Sequence, residues 1–228
     1  ARRHNYVGTF VVSSNAGTMS AARIWHACDG ERQIDKLETL TGAPRSTVRR
    51  DGEVLTLMPD LRVARLEKRD GVGRFPALLR SGEVAAISDF YTARPSGADR
   101  VAGFDADVVV LVPRDPLRYG YRIWSEKRTG LVVKMQTLGP GGDVLEQAAF
   151  SELQIDAPLR MERLAQAMVP PEGWRLERID SVRTTAADEG WELKAPAPGF
   201  KAVSIYRRRA ASGADGPMQW VFSDGLAS

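Results

Sequence analysis

Two residues able to bind a metal, His26 and Cys28, stand two positions apart in this sequence of 228 residues. Residues two apart point to the same side of a β-strand, so both side chains could approach one ion. A zinc site, however, usually needs at least three protein ligands. Because His4 is the only other histidine and Cys28 the only cysteine, the pattern favours a packed histidine and a small thiol over a metal site.

Catalytic motifs are missing from the sequence. No serine stands in a Gly-x-Ser-x-Gly elbow, and no glycine-rich phosphate loop opens a helix after a strand. Paired acids such as Asp35 with Glu38 or Asp105 with Asp107 lie in charged stretches typical of solvated strand edges. We therefore expect neither enzymatic activity nor a cofactor.

The charge balance excludes a general nucleic-acid binder. The 32 basic and 29 acidic residues leave a net charge of +3, whereas phosphate backbones require clustered excess charge. One basic run consists of Arg207, Arg208 and Arg209. Guanidinium forks suit carboxylates and phosphates, so this run either binds an anionic partner or is a solvated strand end.

Large apolar side chains are the remaining candidates for binding. They could line a lipid pocket, although such residues more often fill a core. The candidates are Trp25, Phe75, Phe90, Tyr91, Trp124 and Met135.

The elements that position these residues are mainly strands. Short β-branched and aromatic stretches alternate with turns such as 29–30 and 51–52, both Asp-Gly, which predicts an antiparallel meander. Residues 76–91 break this rhythm with helical spacing. We expect this helix to bury its apolar side against the sheet and to border an apolar cavity that admits acyl chains. The predicted lipid-binding residues are Phe10, Trp25, Leu78, Leu79, Ile87, Phe90, Tyr91 and Trp124.

Prolines divide the chain near residue 160. We predict a large domain over 1–157, a linker over 158–171 and a smaller β-rich domain over 172–228, incomplete at its end. No run of about 18 apolar residues is present, so no transmembrane helix is expected. The chain begins with Ala1 instead of Met, which leads us to expect a removed signal peptide and natural ends that extend further.

Several strings in a fixed order resemble the MucB/RseB family, periplasmic regulators of an envelope-stress sigma factor. The two most specific strings are RYGYRIW at 118–124 and FSDGLAS at 222–228. The others are NYVGTFVV at 5–12, LETLTGAPR at 37–45, FPALL at 75–79, RVAG at 100–103, TGLVVK at 129–134 and LEQAAF at 145–150.

The resemblance implies both a fold and a function. The fold would be α+β and mainly antiparallel β: an unclosed β-barrel wrapped on a helix, similar to lipoprotein carriers, with a smaller β-rich domain. Such proteins bind the periplasmic part of a membrane-spanning anti-sigma factor, shield it from a site-1 protease, and are released by lipid or lipopolysaccharide.

Partner binding is expected in the C-terminal region, at Arg207, Arg208, Arg209, Trp220 and Phe222. The alternative is a periplasmic lipid or lipoprotein carrier without a regulatory partner. A carrier of this fold needs only about the first 155 residues, so the C-terminal region favours the regulator. The sequence does not decide whether the chain forms a homo-oligomer.

Overall fold

The protein was analysed as a computed structural model that describes residues 4–30, 32–68, 84–195, 197–210 and 215–227. In these residues the chain forms fourteen strands and two short α-helices. The helices are α1, Val84–Phe90, and α2, Met161–Ala165. The strands are β1 Tyr6–Ser14, β2 Met19–Cys28, β3 Gln33–Thr39, β4 Ser46–Arg50, β5 Glu53–Met58, β6 Val63–Lys68, β7 Tyr91–Val101, β8 Phe104–Pro113, β9 Gly120–Glu126, β10 Val132–Leu138, β11 Val144–Ile155, β12 Arg175–Arg183, β13 Lys201–Ala210 and β14 Asp215–Ser223.

All fourteen strands belong to one sheet, ordered β14-β13-β12-β6-β5-β4-β3-β2-β1-β11-β10-β9-β8-β7. Neighbouring strands are antiparallel except β12 and β6, which pair in parallel. Because β7 and β14 lie at opposite ends of this order, the sheet is an unclosed barrel. This confirms the predicted fold class.

Register shifts bend the sheet around its concave side. One lies between Thr9 and Phe10 on β1, another between Val132 and Lys134 on β10. An extra residue in one strand increases local bending and twist. The bent face carries the main core, whose buried residues are Tyr6, Phe10, Ala22, Ile24, Val101, Ala106, Val108, Trp124, Leu131, Val133 and Phe150.

Helix α1 is shorter at its C-terminal end than predicted. It ends at Phe90, and Tyr91 begins β7 without an intervening loop. Strand β7 was not predicted. It is an edge strand, where proline is tolerated, and it has a register shift between Pro95 and Ala98. The predicted helical residues 76–83 lie outside the described part of the chain.

The predicted linker contains α2 and a following 3-10 turn, Gln166–Met168. Leu164 packs with Ala27, Ile34 and Val48, which are fully buried on β2, β3 and β4. Strand β12 then pairs with β6, so the C-terminal strands extend the same sheet. The division into two folding units stays a prediction.

Candidate functional site

A compact apolar cluster surrounds α1, and we call it the α1 cluster. Ile87, Tyr91 and Tyr121 are buried at its centre. Antiparallel pairing of β9 with β8 and β10 places neighbouring apolar side chains on the face that α1 covers. The partly buried members are Phe90, Leu111, Ile123, Met135 and Leu226.

An apolar cavity of about 20 Å³ lies beside this cluster, on the same sheet. Met135 belongs to both, and Phe10 and Phe150 also line the cavity. The remaining lining residues are Val132, Val133, Lys134, Ala148 and Ala149. This volume corresponds to roughly one water-sized probe. An acyl chain would therefore need apolar side chains to move.

Arg118, in the loop between β8 and β9, joins the α1 cluster to the C-terminal segment. Its side chain is fully buried, and its Nε donates to Asp224 Oδ2 at 2.7 Å. Nη1 donates to Asp115 and Nη2 to the Pro198 carbonyl oxygen. Each of the three guanidinium nitrogens therefore has a hydrogen-bond partner. The guanidinium carbon lies 4.2 Å from the ring centroid of Phe90, so an aromatic ring covers one face of the cation.

The Asp224 carboxylate also shapes the turn that follows β14. Its Oδ1 accepts hydrogen bonds from the backbone N–H groups of Leu226 and Ala227, at 2.9 and 2.8 Å. Ser223 Oγ closes the turn by donating to the Ala227 carbonyl at 2.7 Å. These bonds hold residues 223–227, here called the C-terminal turn, with Leu226 against the α1 cluster.

The Tyr91 hydroxyl is a buried polar group that lacks a hydrogen-bond partner among the described residues. Only 2% of Tyr91 is exposed. Burial raises the pKa of Tyr91, and the nearby Asp224 carboxylate raises it further. The hydroxyl therefore stays protonated and remains able to donate.

Four predicted lipid-binding residues lie around this site. Ile87, Phe90 and Tyr91 belong to the α1 cluster, and Phe10 lines the adjoining cavity. Predicted residues Leu78 and Leu79 lie outside the described residues.

The two tryptophans predicted to bind lipid, Trp25 and Trp124, lie outside the α1 cluster. Trp25 packs beside Leu164 of α2, because alternation along β2 turns it away from buried Ile24. Trp124 is buried in the main core, where Nε1 donates to Asp99 Oδ2 at 2.9 Å. The Lys134 ammonium lies 4.4 Å from the Trp124 ring centroid. Both the indole N–H and the ring of Trp124 therefore already have contacts within the protein.

The predicted partner residues lie on edge strand β14 and its neighbour β13. The rings of Trp220 and Phe222 are 4.8 Å apart on half-buried positions of edge strand β14. Register places Arg207 on the same face as Trp220, since Ile205 pairs with Trp220 and stands two residues before Arg207. Exposed Val182 pairs with Arg207 and extends this face.

The three arginines are not equivalent. Arg207 binds the Glu189 carboxylate, and hydrogen bonds from Arg207 and then Thr184 hold the pKa of Glu189 below its usual range. Arg208, one residue further, points to the opposite face. The backbone of Arg209 pairs with Asp180, while its side chain lies outside the described residues.

His26 and Cys28 lie in different surroundings. His26 is buried, its Nδ1 is 2.6 Å from Asp35 Oδ1, and its ring stacks on Tyr6 at 4.8 Å. Cys28 is a half-buried free thiol. Throughout the described ranges, no group of three or more potential metal ligands comes together.

A family model for the MucB/RseB N-terminal domain matches residues 1–168. The chain belongs to the MucB/RseB family. Among its relatives, the sigma factor AlgU regulatory protein MucB of Pseudomonas aeruginosa is 29% identical over 227 residues, covering 99% of this chain and 68% of the relative. The resemblance inferred from the sequence strings is therefore confirmed.

Solved structures agree with the MucB/RseB assignment across nearly the whole chain. The complex of Pseudomonas aeruginosa MucA and MucB matches with a TM-score of 0.70 and 27% identity, covering 99% of this chain and 72% of that one. A second structure, MucB with MucA(peri), matches with a TM-score of 0.68 and 26% identity, with the same coverage. MucB/RseB relatives are regulatory proteins, not enzymes.

Sequence reasoning about this MucB/RseB member missed the residues that join the C-terminal turn to the α1 cluster. Arg118 and Asp224 stand 106 positions apart, so no local spacing links them. Both lie within the two most specific strings, RYGYRIW and FSDGLAS. An arginine in one string and an aspartate in the other was the available signal for an ion pair.

Proposed function

We propose that this protein binds the periplasmic segment of a membrane-spanning anti-sigma factor and shields it from site-1 proteolysis. Membership of the MucB/RseB family supports this role, and one observation carries it: the match to MucB complexed with MucA extends over 99% of this chain. The proposed location is the periplasm. No helix in the described ranges has the length and apolarity needed to cross a membrane.

The proposed binding surface is the face formed by β12, β13 and β14. It presents Trp220 and Phe222 beside Arg207, and aromatic and arginine side chains dominate binding energy at protein interfaces. Glu189 already neutralises Arg207. An acidic group of the partner would therefore compete with Glu189, whereas the two rings are available as apolar contacts.

Protection would be stoichiometric, because the protein covers its partner and does not transform it. The regulatory names of the relatives support this non-enzymatic role. In this account acyl chains of lipid or lipopolysaccharide enter beside α1 and weaken partner binding. A ligand shifts such an equilibrium only if it binds the two arrangements unequally.

The alternative, a carrier without a regulatory partner, draws support from the apolar cavity between Phe10 and Met135. That cavity of about 20 Å³ is too small for an acyl chain. A carrier would be expected to keep a larger space ready for cargo, so the regulator is the better proposal.

Equilibrium binding to a fluorescent peptide of the cognate anti-sigma factor's periplasmic segment tests the proposal. We expect saturable binding that Trp220→Ala weakens at least tenfold, as for central aromatic contacts. Trp191→Ala is the matched control, because Trp191 is 59% exposed and outside β12–β14. Absence of peptide binding by the unaltered chain would overturn the proposal.

A further inference from the structure

The C-terminal turn places an anion and an apolar side chain two residues apart against the α1 cluster. The Asp224 carboxylate binds Arg118 Nε at 2.7 Å, while Leu226 packs with α1. A fatty acid or alkyl phosphate presents the same combination, a negative head followed by carbon. The turn therefore has the chemistry of an internal ligand.

We infer that Arg118, Tyr91 and the α1 cluster form a binding site for single-chain anionic amphiphiles, and that the C-terminal turn occupies this site until such a molecule displaces it. The inference rests on the lipid response proposed above and names the ligand class and the competing segment. It assigns the head group to Arg118 and the chain to the space held by Leu226.

The charges of the site are compatible with this exchange. One guanidinium, Arg118, faces two carboxylates, Asp115 and Asp224. An incoming carboxylate or phosphate monoanion replaces the Asp224 carboxylate charge for charge, and Asp224 moves to water. A neutral amphiphile would leave Arg118 short of one partner, which is costly for a buried cation.

A second observation points independently to a ligand. The Tyr91 hydroxyl is buried beside the same cluster and has no hydrogen-bond partner among the described residues. Its proton is available to an oxygen of the ligand head group. Buried hydroxyl groups in proteins are normally satisfied, so the unpaired donor matches an acceptor supplied from outside.

Displacement would reach the proposed partner surface directly. The turn begins at Ser223, the last residue of β14 and the neighbour of Phe222. Phe222 in turn contacts the ring of Trp220. Release of the turn would free this end of β14 and alter the two aromatic side chains that we assign to the partner.

Hydrogen exchange on the unaltered chain, without any anti-sigma segment, tests the inference. Dodecanoate and dodecyl phosphate are the probes, used below micelle formation, with monododecanoyl glycerol as the neutral control. Either anion at saturation should abolish protection of the Leu226 and Ala227 amides, which Asp224 holds in the folded turn. Unchanged protection at saturation, or equal affinity for the neutral control, would overturn the inference.

Substitutions provide a second measurement. Leu226→Ala and Asp224→Asn remove parts of the competing turn, so each should tighten dodecanoate binding about tenfold. Leu193→Ala, at a 44% exposed position, is the control and should leave dodecanoate affinity unchanged. Tyr91→Phe should weaken anion binding several-fold and leave the neutral control unaffected. Unchanged or weaker dodecanoate binding by Leu226→Ala would count against the turn as a competitor.

The two proposals fail separately in these experiments. If dodecanoate opens the turn but leaves peptide affinity unchanged, the site exists and its regulatory role is wrong. If neither dodecanoate nor dodecyl phosphate binds but the anti-sigma peptide does, the site is wrong and partner binding stands. An effect of dodecyl phosphate alone would identify a phosphate head group as the ligand and exclude fatty acids.

Discussion

The buried side chains of Arg118 and Asp224 form an ion pair, with Nε 2.7 Å from Oδ2 and neither side chain exposed to solvent. This pair joins the loop before β9 to the turn after β14. It lies where the α1 cluster, the Pro198 carbonyl and the C-terminal turn meet. It therefore couples the α1 cluster to the end of β14, the strand that carries Trp220 and Phe222.

Arg118→Ala should destabilise the protein by about 3–5 kcal/mol, because it leaves buried carboxylates without their cation. Urea denaturation measures the loss. Arg128→Ala is the matched control: Arg128 pairs with Asp156 at 3.2 Å, but its side chain is 69% exposed, so we expect a loss of at most about 1 kcal/mol. Equal losses in the two variants would contradict the structural role of Arg118.

Gly199→Ala should test the contact between the C-terminal segment and α1. A Cβ at Gly199 would lie 2.2 Å from the Phe90 ring, and the backbone φ there is +80°. Gly97 has the same φ with no neighbouring atom within 4 Å, which makes Gly97→Ala a control for backbone strain alone.

Thermal unfolding should show that Gly97→Ala lowers the free energy of unfolding by about 1 kcal/mol and Gly199→Ala by about 3 kcal/mol. The larger loss arises because the new methyl group overpacks against Phe90. Similar values for the two variants would mean that the segment around Gly199 does not pack on α1 in solution.

Glu126 should make stability depend on pH. Burial raises its pKa, but hydrogen bonds from Thr129 and from the backbone N–H groups of Arg128 and Thr129 outweigh this effect, so the net pKa is lowered. As pH falls, the Glu126 carboxylate is therefore protonated in the unfolded chain at a higher pH than in the folded protein. The hydrogen bonds to the Glu126 carboxylate contribute their full stabilisation above its unfolded-state pKa of about 4.3. This stabilisation is lost as pH falls from that value towards the lower pKa of the folded state.

Glu126→Gln should accordingly cost about 2 kcal/mol at about pH 7, with the difference from the unaltered protein shrinking at about pH 3. Urea titrations at both pH values measure this difference in the free energy of unfolding. Glu152→Gln, at an exposed position of β11, serves as the control. A cost for Glu126→Gln that is independent of pH would contradict the assigned hydrogen bonds.

Much of the fold was predictable from local sequence patterns. The turns at 29–30 and 51–52 separate strands β2 from β3 and β4 from β5, as Asp-Gly dipeptides indicate. Strand β12 was not predicted, because its apolar residues Leu176, Ile179 and Val182 recur at every third position and not in the alternation typical of a strand. Its pairing with β6 is a long-range contact that no local pattern encodes.

The candidate site was predictable only in part. Apolar spacing identified Ile87, Phe90 and Tyr91, since helical periodicity marks a buried side. Trp25 was named only as a strand aromatic, and size and aromaticity do not reveal which face of a strand is covered; it packs beside Leu164 of α2. The C-terminal turn was missed because Leu226 reaches the α1 cluster only through tertiary folding.

The most direct test of the account is protection of the anti-sigma segment from the site-1 protease as a function of added protein. We predict that cleavage falls linearly and stops near one protein per segment, and that dodecanoate restores cleavage in the unaltered protein. Restoration should need about tenfold less dodecanoate with Leu226→Ala. Full protection at a small fraction of one equivalent, or no protection at several equivalents, would contradict stoichiometric shielding as the function.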